Sequence, residues 1–389
     1  MATINGTADK DFIHRAGDGN VPPVGYNEIT GVTTGNDVID GKEGDDIIYG
    51  DGGNDTIIGG LGTDTMFGGD GNDRFLITDI AQIDGLTEFM DGGAGINQLR
   101  LEAIQGTLDL SKATLVNVRS FFGSALVGGL IVSLTPEQLS GFSSGITGSS
   151  ASLGSIDFAL SVSGLVELAA IHISGLDSIT GSSGDDTLDI SGAIDSIGVR
   201  GEAGDDSIKL DPQAFDAKST SYSLEGGEGN DVLKLTTGIG TLTGGKGKDE
   251  LFGGKRDDAL FGNSSKDELT GRGHQDTLTG GGSADSFIYQ KLKDSLPEAD
   301  RHDTITDFSH EQGDRIDLHT IDADLVQAGD QPFFLGGSTF TGSPGELIQF
   351  IHAVSGDTIL QGDVGGDGVA DFEIALESGP VLVAADFVF

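Results

Sequence analysis

Between Val32 and Leu76 the chain repeats itself every nine residues without slipping: VTTGNDVID, GKEGDDIIY, GDGGNDTII, GGLGTDTMF, GGDGNDRFL. Glycine holds the fourth position (Gly35, Gly44, Gly53, Gly62, Gly71) and aspartate the sixth (Asp37, Asp46, Asp55, Asp64, Asp73). The eighth is apolar: Ile39, Ile48, Ile57, Met66 and Phe75. Such a period belongs to a stack of short units, each too small to bury its apolar residue alone. Glycine tolerates the positive φ of a tight turn, which a Cβ would penalise. The last three residues of each unit form a short strand with the apolar side chain facing the core. The turn points backbone carbonyls inward and leaves the aspartate as the charged ligand.

A second run opens at Gly226: GGEGNDVLK, LTTGIGTLT, GGKGKDELF, GGKRDDALF, GNSSKDELT, GRGHQDTLT, GGGSADSFI. Asp231, Asp249, Asp267 and Asp285 fall on one edge, Asp258 and Asp276 on the other. This run is worn. Gly240 replaces an aspartate, and Arg256, Ser265, His274 and Ser283 replace the fourth-position glycine. The losses predict turn strain and some weak or empty sites. His274 stands in a turn slot and not at the aspartate position, so it reads as a solvent-facing turn residue.

Both runs resemble the RTX nonapeptide G-G-x-G-x-D-x-U-x, a calcium-binding repeat. The resemblance implies an all-β fold: a parallel β-roll or right-handed β-helix solenoid with two nonapeptides per coil. Aspartates eighteen residues apart then stack, and Asp37 shares an ion with Asp55, Asp55 with Asp73, and Asp46 with Asp64. Two carboxylates plus carbonyls make an all-oxygen site that suits Ca²⁺ better than Mg²⁺, which demands a strict octahedron. Stacked pairs give about three ions in the first run and about four in the second, roughly seven or more in all.

Charge points the same way. With 63 acidic against 21 basic residues the net charge is -42, which argues against a nucleic-acid or anionic-membrane partner and for a cation. There is no cysteine, so neither a disulfide framework nor a thiolate metal site is available. No apolar run reaches the length of a membrane span. The opening MATINGTADKDFIHRAGDG lacks the basic and apolar regions of a secretory signal, so if the protein leaves the cell its address is expected elsewhere.

Residues 1–31 read as a degenerate coil or cap, with GTADKDFIH aligned so that Asp11 matches Asp37. Residues 32–77 form the first roll. Across 78–225 strand-like runs such as TLDLS (107–111), LIVSL (130–134) and IDFALSV (156–162) alternate with Gly/Ser turns, predicting irregular β-helix coils. Within them GSSGDDTLD and GEAGDDSIK carry Asp186 and Asp206 on RTX-like turns. Residues 226–289 form the second roll. From 226 onward the chain resembles the C-terminal region of serralysin-type metalloproteases, which implies a β-rich cap over 290–389 and a type I secretion signal. The terminal Asp386-Phe387-Val388-Phe389 is similar to the acidic-then-apolar ending of such exported proteins. Asp363-Val-Gly-Gly-Asp367-Gly-Val-Ala-Asp371 spaces three acids like the start of an EF-hand loop, yet Ile374 stands where the bidentate glutamate belongs. It is either a calcium loop or a hydrogen-bonded hairpin turn.

Enzymatic readings find little support. A zincin needs two histidines at i and i+4 about a glutamate, and after His310-Glu311 position 314 is aspartate. Gly141-Phe-Ser143-Ser-Gly145 matches G-x-S-x-G, but that motif acts only on a strand-to-helix turn, and this stretch is Gly/Ser-rich. β-Helices also host polysaccharide lyases and epimerases, and the middle segment offers Arg100, Asp109, Lys112, Arg119, Asp157 and His172 without a recognisable constellation. The expected function is therefore a secreted, non-enzymatic calcium-binding protein that leaves through a type I exporter and folds on calcium outside. Its role would lie in binding, at a cell surface or in a matrix, with an extracellular glycan or surface partner; a membrane-active effector is a further alternative.

Overall fold

A computed structural model describes residues 1–83, 86–148, 155–213, 220–298, 301–324 and 327–389. The chain forms two compact units. One comprises 1–182 with 190–197, the other 183–189 with 198–389. Both are parallel β-solenoids.

In the first unit the eighth-position residues stack directly. Ile39 pairs with Ile57, Ile57 with Phe75 and Phe75 with Leu99 on one face. Ile13, Ile48, Met66 and Met90 run in register on the other. All eight are buried, so each coil hides the apolar residue its neighbour cannot hide alone. Beyond the nonapeptides the strands lengthen to Asn97–Asp109 and Val118–Leu134, still parallel but with register shifts. The described residues of 78–182 therefore continue the coil with larger rungs.

In the second unit Val199, Leu224, Leu242, Leu260, Leu278 and Ile305 form one apolar column. Ile208, Leu233, Leu251, Leu269, Phe287 and Ile316 form the facing one. The last coil would expose unpaired strand edges, an aggregation hazard. Phe372–Leu376 pairs with Asp303–Ile305, and Phe387–Val388 with Arg315–Asp317, so both edges are covered. Phe372–Leu376 itself ends an antiparallel meander with Glu346–Ile351 and Thr358–Asp363. Among the described residues no helix is long and apolar enough to cross a membrane.

A candidate ladder of calcium sites

Each repeat aspartate sits at a turn and is almost wholly buried; Asp46, Asp55, Asp64 and Asp73 are each 1% exposed. One carboxylate oxygen is always used in the same way. Oδ1 accepts the backbone N–H of the residue one coil earlier, as in Asp37 N–H to Asp55 (2.7 Å) and Asp55 N–H to Asp73 (2.8 Å). Four such ladders run along the turn edges. The first unit carries Asp11, Asp46, Asp64, Glu88 and Asp37, Asp55, Asp73, Asn97. The second carries Asp186, Asp206, Asp231, Asp249, Asp267, Asp285, Asp314 and Gly240, Asp258, Asp276, Asp303.

The other oxygen distinguishes two kinds of turn. In ten repeat turns (Asp46, Asp55, Asp64, Asp73, Asp206, Asp231, Asp249, Asp267, Asp276, Asp285) Oδ2 is buried with no hydrogen-bond partner. These open turns have left-handed backbone at positions two and four, for example Gly60 and Gly62, or Arg272 and His274. In the turns of Asp11, Asp37 and Asp258 Oδ2 instead accepts the N–H of position two: Thr7, Thr33 and Gly254. No left-handed residue occurs in those closed turns. Each closed turn belongs to the first aspartate of its ladder, where no preceding aspartate turn lies beneath. Arg256 thus escapes the strain expected at a glycine slot, whereas Ser265, His274 and Ser283 carry it at φ 84°, 82° and 98°.

Glycine at position one has a different cause from glycine at position four. Gly41, Gly50, Gly59 and Gly68 are not left-handed. A Cβ on Gly41 would meet Asp46 Oδ2 and the Gly59 carbonyl oxygen, each at 2.3 Å. On Gly50 it would lie 2.4 Å from the Gly68 oxygen and 2.7 Å from Asp55 Oδ2. A carboxylate oxygen and the next coil's carbonyl oxygen therefore converge on the space that glycine leaves open. Two such oxygens repel unless a cation lies between them, and an unpartnered buried carboxylate is costly. The residues present fit a hard, oxygen-seeking cation. No group of three or more His, Asp or Glu side chains converges among the described residues; the donors are one carboxylate per turn and backbone carbonyls.

The electrostatics agree. Burial pushes Asp46, Asp55 and Asp267 up to about 7, with neighbouring ladder aspartates adding to the effect. Burial likewise raises Glu88 to about 8. In closed Asp37 burial works upward too, but hydrogen bonds from Ala2 and Thr33 outweigh it and hold the carboxyl below its ordinary range.

Asp11, matched to Asp37 in the opening segment, and Glu88, Asn97, Asp303 and Asp314, which the repeat pattern does not pick out, extend the ladders. Their only common signal is a buried apolar residue two places on: Ile13, Met90, Leu99, Ile305, Ile316. Asp363, Asp367 and Asp371 lie along one loop between antiparallel strands without converging. There Asp363 accepts from Gly366 and Gly368, Asp371 from Val364 and Gly365, and Asp367 from Val369. The loop's own N–H groups thus occupy these carboxylates. Gly141–Gly145 lies between the short helix Pro136–Gly141 and the strand Gly145–Gly148, the reverse of the order a nucleophile elbow needs. His274 is exposed and faces Asp257 at 3.5 Å.

Comparison with known families agrees with this geometry. The RTX calcium-binding nonapeptide repeat matches residues 32–66 and 41–75. The family described as Peptidase M10 serralysin C terminal matches residues 170–389, reaching further upstream than the second run of repeats. No curated protein matches the chain. Both matched domains are typical of secreted proteins, and neither is a catalytic protease domain. With more than half its length matched, the chain belongs to the serralysin C-terminal family and carries RTX calcium-binding repeats.

Proposed function

We propose that this protein is a non-enzymatic binding element whose two solenoids fold at neutral pH only when calcium joins their coils, outside the cell and after export through a type I channel. The observation that supports it most is the set of ten buried Oδ2 atoms without hydrogen-bond partners, each facing glycine-cleared space. Asp46, Asp55, Asp64, Asp73, Asp206, Asp231, Asp249, Asp267, Asp276 and Asp285 are the side-chain ligands, and Glu88 and Asp303 lengthen two ladders. The closed turns of Asp37 and Asp258 hold their carboxylates by N–H groups and serve as ladder starts. Asp186 begins its ladder on a turn without left-handed backbone, and the 363–371 loop is held by its own N–H groups. Bound calcium supplies the positive charge that allows stacked carboxylates to remain ionised side by side. Without it their mutual repulsion and desolvation oppose folding, and an open chain can thread an exporter. In the folded chain Phe387–Val388 is strand-paired, so an exporter would read this segment before folding.

Elemental analysis after equilibrium dialysis, run beside far-UV circular dichroism, tests the reading. We expect about ten ions per chain at millimolar calcium, and β signal that appears with them. A chain equally folded after calcium is stripped at neutral pH would refute it.

A further inference from the structure

The two ladder edges of the second unit differ in charge. On the Asp231–Asp285 edge two of the three turn lysines are spent within the fold, Lys246 on Glu228 and Lys248 on Glu268, and only Lys266 has no ion pair among the described residues. On the opposite edge the turns 253–258, 271–276 and 289–294 present Lys255, Arg272, Lys291 and Lys293, with Arg301 beside them. Among the described residues none of these five cations has an ion-pair partner within 4 Å. They surround a cleft of about 550 Å³, within the range of small-molecule sites. In a chain of net charge -42, five such cations around one cleft outnumber the two acids, Asp211 and Asp294, that line it with them.

We propose that this cleft binds an acidic saccharide, its anionic group held by the cations and its hydroxyls by the neutral and acidic lining. Arg272 is half-buried, its guanidinium 5.5 Å over the Phe252 ring, which fixes a planar fork suited to a carboxylate. The lysines are exposed point charges on flexible stems. Asp211 and Asp294 also line the cleft. They disfavour a bare inorganic anion but accept hydrogen bonds from sugar hydroxyls. Thr236 and Thr237 turn their hydroxyl protons onto Asp211 and the Pro212 carbonyl, leaving oxygen lone pairs toward the cleft. The repeat is worn on this edge too, at Gly240, Arg256 and His274. Asp258 closes its turn on Gly254 N–H, and Asp294, in the next repeat slot, accepts from Gln290 and Lys291 N–H. Two turns of this edge are thus held by hydrogen bonds and present side chains outward.

The site rests on the calcium-folded solenoid proposed above, so binding is measured on the full chain in millimolar calcium with circular dichroism recorded on the same sample. Titration calorimetry with trigalacturonate is compared with neutral galactotriose and with sodium sulfate. We expect one trigalacturonate site, tighter than either comparison ligand by about tenfold or more. Lys255→Ala with Lys293→Ala should weaken it about tenfold or more, and Lys246→Ala with Lys248→Ala, the same charge change on the other edge, by less than about twofold. Absence of binding by a folded chain overturns the assignment. So does sulfate or galactotriose binding as tightly as trigalacturonate, or equal weakening by the two double variants. Loss of the β signal in calcium would instead refute the folding reading.

Discussion

The N–H of Asp37 donates to Oδ1 of Asp55 over 2.7 Å, yet the two carboxylates are in opposite electrostatic states. Asp37 Oδ2 accepts from Thr33 N–H and hydroxyl, and its pKa is low. Asp55 Oδ2 has no partner, and burial takes it up to about 7. One repeat position therefore serves two purposes: to start a ladder, or to receive an ion.

The raised carboxyls set the acid response of the calcium-free chain. A carboxyl near 7 when folded and near 4 when unfolded binds more protons in the folded state between those values. Stability then falls as pH rises through that window. Calcium-stripped protein should show β signal near pH 5 and lose it toward pH 7.5, while calcium-loaded protein loses ions as pH falls. Circular dichroism and calcium electrodes read the two limbs. β signal growing with pH in the stripped protein would contradict the assignment.

Asp64→Asn and Asp37→Asn should part company. Asparagine keeps the Oδ1 acceptor but turns an amide where an ion would sit. Nature has made this change at Asn97: Oδ1 takes Asp73 N–H at 2.8 Å while Nδ2 donates to the Asn117 carbonyl at 3.2 Å. Elemental analysis should show Asp64→Asn lowering the calcium count and Asp37→Asn leaving it unchanged.

Gly62→Ala and Gly35→Ala probe one repeat position in the two turn types. Gly62 has φ 130° and a Cβ there would lie 2.1 Å from the Gly44 oxygen. Gly35 is not left-handed, and its nearest neighbour would be Thr33 Oγ1 at 3.7 Å. Gly62→Ala should cost about 2 kcal/mol or more, with a steeper calcium requirement for folding. Gly35→Ala should stay within about 0.5 kcal/mol. Calcium-dependent denaturant melts compare them directly.

How far the sequence reveals the ladder depends on what each feature requires. The D-x-apolar beat is local, so stacked aspartates and apolar columns can be read directly. Turn type cannot be read this way. GSSGDD at 181–186 and GEAGDD at 201–206 share glycines and acids, yet left-handed backbone appears only in the second, at Glu202 and Gly204. The determinant is whether an aspartate turn lies beneath, which is a property of the stack. Asp303 and Asp314 are hidden for another reason. They follow Asp276 and Asp285 by 27 and 29 residues, since inserted segments break the period while the coil closes again in register. Position-one glycine is legible, but its cause is not, because the clash it avoids is with an oxygen five residues on.

The worn turn at His274 gives the last prediction. His274 holds φ 82° in a slot that glycine fills elsewhere, is exposed, and has only a loose contact with Asp257. A side chain in the left-handed region costs about 1–2 kcal/mol, and nothing in its contacts offsets this. His274→Gly should therefore raise Tm by a few degrees, about 1 kcal/mol in a unit of this size. Asp276 Oδ2 remains buried and unpartnered, so the calcium count should not change. A lower Tm would mean that the imidazole contributes to the turn beyond its visible contacts.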